Sequence, residues 1–315
     1  MKDTITKITL PTPYAVGDVN VYLVKGDALT LVDVGPLTEE AWERLNAQIG
    51  EAGYGLEDID QVVLTHHHPD HAGMVERFAP SVEIIGHPYN RHWLHRDADF
   101  LDEYGTFFFN LARESGVDEE ILSKITSFEH LLTLMGNRPL DRCVEEGGGL
   151  PGLSGWTIIG TPGHAQSHLS FYREEDGTLI AGDHILAHIS PNPLIEPLFN
   201  GGGRPKPMLQ YNESLDKLTK LPVSVAYTGH GEDVRDVQGL IVRRKRKQEE
   251  RAASVQTMIQ ARPMTAFEIC KRLFPAVYKK ELGLTLSETI GQLDYLEASD
   301  RIKVEIQHGV YYYFS

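Results

Sequence analysis

A chain of 315 residues with 41% hydrophobic content is long enough to bury one large core or to divide into two domains. Its formal charge of −15 raises the cost of approaching a polyanion, because nucleic-acid affinity comes largely from neutralising phosphates with Lys and Arg. The two cysteines, Cys143 and Cys270, stand far apart in unrelated contexts and build neither a disulfide framework nor a thiolate zinc site, so any metal must be held by His and carboxylate.

From Met1 the chain alternates polar and apolar residues without an apolar run long enough for a signal peptide or a membrane span, so the expectation is a cytoplasmic protein that does not engage membranes. Asn20 to Lys25 and Ala28 to Val34 read as strands joined at the turn-forming pair Gly26-Asp27. Thr38 can cap a helix in which Trp42, Leu45 and Ile49 fall at helical spacing, with Glu39 and Glu40 in its first turn. Gln61 to Thr65 is a buried-strand pattern running straight into a histidine cluster. From His92 to about Asp141 the pattern turns helical, with Phe100, Tyr104, Phe107 and Phe108 on one stretch and Ile121, Leu122, Ile125, Phe128, Leu131 and Leu132 on another. This segment reads as an insertion between two sheet-forming halves, and its aromatic side chains are expected to wall the substrate site. Strands resume at Trp156 to Ile159, His168 to Tyr172, Leu179 to Ala181 and Val223 to Tyr227. The runs Gly147-Gly148-Gly149 and Gly201-Gly202-Gly203 read as loops.

After Gly231 a long polar helix carries Arg243-Arg244-Lys245-Arg246-Lys247 followed by Glu249-Glu250. Pairs four residues apart, Lys245 with Glu249 and Arg246 with Glu250, suggest a solvated charged face rather than a phosphate-binding patch. The tail gives a helix from Thr265, another from Ser287 to Ala298, and strands Arg301 to Ile306 and Val310 to Phe314 hinged at His308-Gly309. That is a winged helix-turn-helix order. The would-be reading helix, Leu286 to Asp300, bears Glu288, Asp294, Glu297 and Asp300 and no Lys or Arg, so duplex DNA is not an expected partner. The tail reads instead as a packing or dimerisation module, with a homodimer as one outcome. The expected division is a catalytic domain over residues 1–235 and a linker helix with winged-helix domain over 236–315.

The chemistry is concentrated in Thr65-His66-His67-His68-Pro69-Asp70-His71-Ala72-Gly73. In an extended segment His66 and His68 share one side while His67 points away, and Asp70 and His71 add two ligand-type groups at the turn beyond. Three further segments end an expected strand with a ligand-type residue after small or turn-forming residues: Thr161-Pro162-Gly163-His164, Ala181-Gly182-Asp183 and Tyr227-Thr228-Gly229-His230. His168 and His184 can be structural or can support the site from outside. His87, His92 and His95 have no matching ligand partner.

This pattern resembles the metallo-β-lactamase superfamily, an αββα sandwich of hydrolases that includes glyoxalase II, lactonases and several nucleases, over roughly residues 1 to 235. The resemblance implies that His66, His68 and His164 hold one metal, that Asp70, His71 and His230 hold a second, and that Asp183 bridges them. It also implies that Asp33 in Leu31-Val32-Asp33-Val34-Gly35 is a buried carboxylate orienting ligand histidines, the alternative being a turn cap. Imidazole and carboxylate without thiolate suit zinc first, with manganese and iron as alternatives. Two such ions would turn a bridging water into hydroxide at neutral pH and polarise the scissile carbonyl or phosphoryl oxygen, with Asp70 carrying away the proton. With its winged-helix tail the chain looks like the lactamase-like subgroup that includes a mitochondrial endoribonuclease and many bacterial hydrolases. The first expectation is hydrolysis of a small ester, thioester or lactone, the partner being a small-molecule acyl substrate. The second is a single-strand endoribonuclease with RNA held by the basic run, and the third is a DNA-binding regulator with a vestigial metal domain.

Overall fold

The computed structural model describes residues 4–96, 98–123, 132–198 and 203–315. Ile125, Phe128, Leu131, Gly201 and Gly202 therefore lie outside the described residues. Among the described residues the strands form three sheets. In the first, β1 (Thr4–Leu10), β2 (Val19–Lys25) and β3 (Leu29–Val32) run antiparallel, then β4 (Gln61–Val63), β5 (Glu83–Gly86) and β6 (Arg142–Cys143) are added in parallel and in sequence order. The short hairpin between β2 and β3 turns at Gly26 and Asp27 as their residue types require. The second sheet has the order β10-β9-β8-β7, in which β7 (Trp156–Gly160), β8 (Leu169–Arg173) and β9 (Thr178–Gly182) form a meander and β10 (Val225–Thr228) lies parallel to β9.

Tyr22, Val24, Val32, Val63 and Ile85 from the first sheet and Trp156, Ile158, Leu169, Phe171 and Ile180 from the second belong to one apolar core, so the two sheets face each other. The first sheet also carries helix α1 (Glu39–Glu51), capped by the Thr38 hydroxyl and burying Ala41, Leu45 and Ile49 at helical spacing. Gln48 of α1 closes two hydrogen bonds with the backbone of Thr9, donating at 3.0 Å and accepting at 3.2 Å, which satisfies part of the strand edge. With faces covered on both sides, β2 is buried along six of its seven residues, Asn20 among them.

The chain falls into two compact units that interleave along the sequence. One comprises Met1–Asp97, Glu129–Pro191 and Ser214–Gln238, and the other Ala98–Phe128, Asn192–Glu213 and Gly239–Ser315. The second unit contains helices α4 (Ala98–Glu114), α5 (Glu119–Leu122), α8 (Ala266–Leu273) and α9 (Leu282–Ala298) together with most of α7 (Val237–Ile259). Its small sheet has the order β11-β13-β12, with β11 (Met264–Thr265), β12 (Lys303–Gln307) and β13 (Val310–Phe314). His308 and Gly309 both take positive φ, 51° and 81°, which closes the β12–β13 hairpin. Thr265 caps α8 in a reciprocal capping box with Glu268.

The aromatic stretch of α4 is largely covered. Phe107 and Phe108 pack on the core of the second unit, alongside Leu111, Ala112, Ala252, Val255, Phe267, Ile290 and Leu293, and Phe100 and Tyr104 are buried. Phe107 and Phe108 thus take part in the packing of the second unit. Periodicity had shown that the rings would be covered but not by what. No helix among the described residues is long and apolar enough to cross a membrane.

Candidate metal centre

Every ligand-type residue singled out in the sequence stands just past the C-terminal end of a strand of the first unit. His66 and His68 follow β4, and helix α2 (Pro69–Ala72), opened by Pro69 in its first turn, then presents Asp70 and His71. His164 lies between β7 and β8, Asp183 directly follows β9, and His230 follows β10. Asp33 follows β3 in a left-handed conformation, with φ at 60°. Such turns at sheet ends let side chains from several strands meet.

They do meet. The donor atoms of His66, His68 and His164 lie within 4.8 Å of one another, as do those of Asp70, His71 and His230, and those of His66, His71 and Asp183. His66 Nε2 is 3.0 Å from His68 Nδ1. Asp183 lies between the groups, its Oδ2 being 3.5 Å from His164 Nε2 and 3.4 Å from His230 Nε2, while its Oδ1 is 3.3 Å from His71 Nε2. Asp70 Oδ2 is 3.3 Å from His230 Nε2 and 4.0 Å from His71 Nε2. The glycine before His230 is required by this crowding, because a Cβ on Gly229 would sit 2.0 Å from Asp183 Oδ1.

The tautomers are set from outside the cluster. His71 Nδ1 donates to Asp33 Oδ2 at 2.8 Å and His230 Nδ1 to the carbonyl of Asp18 at 2.8 Å, so each ring turns Nε2 towards the centre. Asp33 also accepts from the backbone N–H and the hydroxyl of Thr65, both at 2.7 Å. With its proton given to Asp33, the Thr65 oxygen can accept from His66 Nδ1 at 3.0 Å, which again aims His66 Nε2 inward. Asp33 thus touches two candidate ligands, one directly and one through Thr65, which removes the turn-cap alternative. The Thr65 hydroxyl and the Asp18 carbonyl went unseen in the sequence, the second because a backbone oxygen leaves no residue-type signal.

The electrostatics call for a cation. Burial lowers His66 and His68 well below the usual imidazole range, and the neighbouring imidazoles lower them further. Burial also opposes protonation of His71, but Asp183, Asp33 and Asp70 outweigh it and raise that ring. At His230 burial is again outweighed by Asp183 and Asp70, and the value is pushed up to about 10. Burial would raise the Asp183 carboxyl, yet His230 and His71 hold it well below the carboxylate range. His71 Nε2, His230 Nε2 and Asp183 Oδ1 are all buried and receive no hydrogen bond of standard geometry. Buried polar atoms converging without hydrogen bonds are costly in an ordinary core and fit a divalent cation, which takes their lone pairs and neutralises the carboxylates.

Other histidines have partners of their own. His67 bonds Ser167 Oγ through Nδ1 at 2.8 Å and stacks on Trp93 with ring centroids 4.6 Å apart, although a donor atom of it also lies within 4.8 Å of one of His68. His184 is buried, with burial pushing it down to about 3 against the opposing effect of a hydrogen bond with the Ser214 backbone. His87, His92 and His95 join none of the ligand groups found among the described residues.

Comparison with known proteins agrees with this geometry. The chain belongs to the metallo-beta-lactamase superfamily, whose family model matches residues 14–230, and it is a metal-dependent hydrolase. It is 44% identical over 300 residues to a probable metallo-hydrolase of Bacillus subtilis, YqjP, covering 95% of this chain and 94% of that one. A crystal structure of a metallo-beta-lactamase family protein from Thermus thermophilus, TTHA1429, matches with a TM-score of 0.80 and 29% identity, covering 98% of each chain. A beta-lactamase domain protein from Burkholderia ambifaria matches with a TM-score of 0.77 over 98% of this chain and 92% of that one; at 20% identity it speaks for the fold alone.

Proposed function

We propose that His66, His68 and His164 hold one divalent ion, that Asp70, His71 and His230 hold a second with Asp183 between them, and that the pair hydrolyses a small ester, thioester or lactone. The observation that carries this reading is the convergence of two donor triads on one buried carboxylate. Two bound ions would supply an activated water and polarise the acyl oxygen. The protein's own groups do the rest. Asp33 and the Asp18 carbonyl orient His71 and His230, and Asp70 is placed to receive the proton of the attacking water. Zinc is the first choice for this donor set, followed by manganese and iron.

The acyl substrate class is supported by the charge of −15, which opposes a polyanion. The basic run offers RNA little: Arg246 pairs with Glu250 at 3.6 Å on an exposed face, and Arg244 is partly buried. The helix–helix–hairpin order of the second unit supports a winged-helix reading, and the burial of α9 from Thr285 through Asp294 speaks against its use as a reading helix for duplex DNA.

The test is a parallel screen of zinc- and manganese-loaded protein on acyl esters, thioesters, lactones, phosphodiesters and single-stranded RNA. Elemental analysis is expected to find about two ions per chain and turnover to favour the acyl substrates. Protein that takes up no transition metal, and gains no activity on adding zinc or manganese, would overturn the metal reading. Preferential cleavage of RNA would overturn the substrate class.

A further inference from the structure

His168 contributes no donor to the ligand groups, yet it ties together the two loops that carry His164 and Asp183. Its ring is buried and both nitrogens are engaged. Nε2 is 3.1 Å from the backbone nitrogen of Asp183, and a peptide N–H can only donate, so Nε2 carries the lone pair and the ring proton sits on Nδ1. Nδ1 then donates to Thr161 Oγ1 at 2.8 Å, Thr161 donates to Ser170 Oγ at 2.9 Å, and Ser170 donates to the carbonyl of Ala181 at 3.3 Å. The chain of bonds runs one way, from an obligate donor at Asp183 to an obligate acceptor at Ala181. It links the end of β7, the start of β8 and the end of β9. The His164 loop is further closed by the Thr161 N–H on the carbonyl of His168 at 3.0 Å and the His168 N–H on that of Ala165 at 3.2 Å. Gly182 takes φ of 51°, and a Cβ there would lie 2.9 Å from His168 Nε2, so the absence of a side chain lets the ring reach the Asp183 backbone.

The geometry points to His168 as a positioning residue that sets the separation of His164 and Asp183, 3.5 Å between Nε2 and Oδ2, and so the fit of the site for its ion. This inference rests on the metal centre proposed above. His168 acts through its Nε2 bond to the Asp183 backbone, and the bonds from Thr161 to Ala181 fix the tautomer that makes this bond possible.

Two substitutions separate positioning from filling space. The carboxamide of His168→Gln can place an acceptor near the position of Nε2, whereas that of His168→Asn reaches only the position of Nδ1. Zinc affinity measured by competition with a chromogenic chelator is expected to fall about 10- to 100-fold in His168→Asn, and by less than tenfold in His168→Gln. Equal losses in the two variants, or wild-type affinity in His168→Asn, would overturn the proposal. A wild-type protein that binds no zinc would instead refute the metal centre itself. The wild type provides a second measurement that does not depend on how the variants fold: nitrogen-15 NMR of the metal-free protein should show His168 protonated at Nδ1. Protonation at Nε2 would overturn the proposal.

Discussion

Each unit of this molecule buries charged and polar groups, and the two treat them in different ways. In the second unit α9 buries Glu288 and Asp294, and both carboxylates are matched: Arg204 forms two bonds to Asp294, at 2.6 and 2.7 Å, while Arg251 and Gln292 donate to Glu288. In the first unit the buried carboxylates Asp70 and Asp183 face imidazole nitrogens at 3.3 to 4.0 Å, and several of those atoms make no standard hydrogen bond. A matched buried charge serves the fold. In the first unit the carboxylates meet imidazoles at ion-pair distance, without the short hydrogen bonds that match Glu288 and Asp294.

Disrupting the two buried charge clusters should give different signatures. Asp183→Ala is expected to lower turnover by orders of magnitude and to reduce bound metal. Elemental analysis paired with an activity assay checks this. Unchanged metal content would put Asp183 in the structural class of Asp294. Arg204→Ala should act the other way. It leaves the Asp294 side chain, 4% exposed, with Lys206 at 3.8 Å as its remaining ion-pair partner among the described residues, at a cost of about 3 kcal/mol in urea unfolding with metal content unchanged. Adding Asp294→Leu should recover most of that loss, and failure to do so would show that the pair does more than neutralise itself. The smallest effect belongs to the surface: Arg246→Ala breaks a pair whose side chains are 69% and 66% exposed, and should change stability by less than about 0.5 kcal/mol.

The two units also differ in how openly the sequence announces them. The convergence of the seven ligand-type side chains was legible because each follows a strand pattern directly and four of them fall within Thr65 to Gly73. Gly229 and Gly182 before His230 and Asp183 marked close approach, and the crowding around both bears that out. The supporting bonds were less visible. Asp33 could be proposed only through a resemblance, and His168 looked like one more histidine until its partners were seen. The helices, the hairpin and the acidic character of α9 could be read from the second unit's sequence. Its discontinuity could not, since hydrophobic spacing reports that Phe107, Phe108 and Leu111 are covered but not that residues from the far end of the chain cover them.

That discontinuity governs the order in which the molecule can be made. Leu111 and Ala112 share a core with Phe267 and Leu293, and the Ser115 carbonyl accepts the Phe267 N–H at 3.0 Å, so partners well over a hundred residues apart must find each other. Closing so long a loop is slow even where the equilibrium cost is modest. On a ribosome α4 emerges early, yet its apolar stripe lacks the larger part of its cover until α7, α8 and α9 have been synthesised. During that interval it is a surface on which a nascent chain can aggregate or a chaperone can hold. A chain cut after Gln238 would keep every candidate ligand and strip that core of Ala252, Val255, Phe267, Ile290 and Leu293.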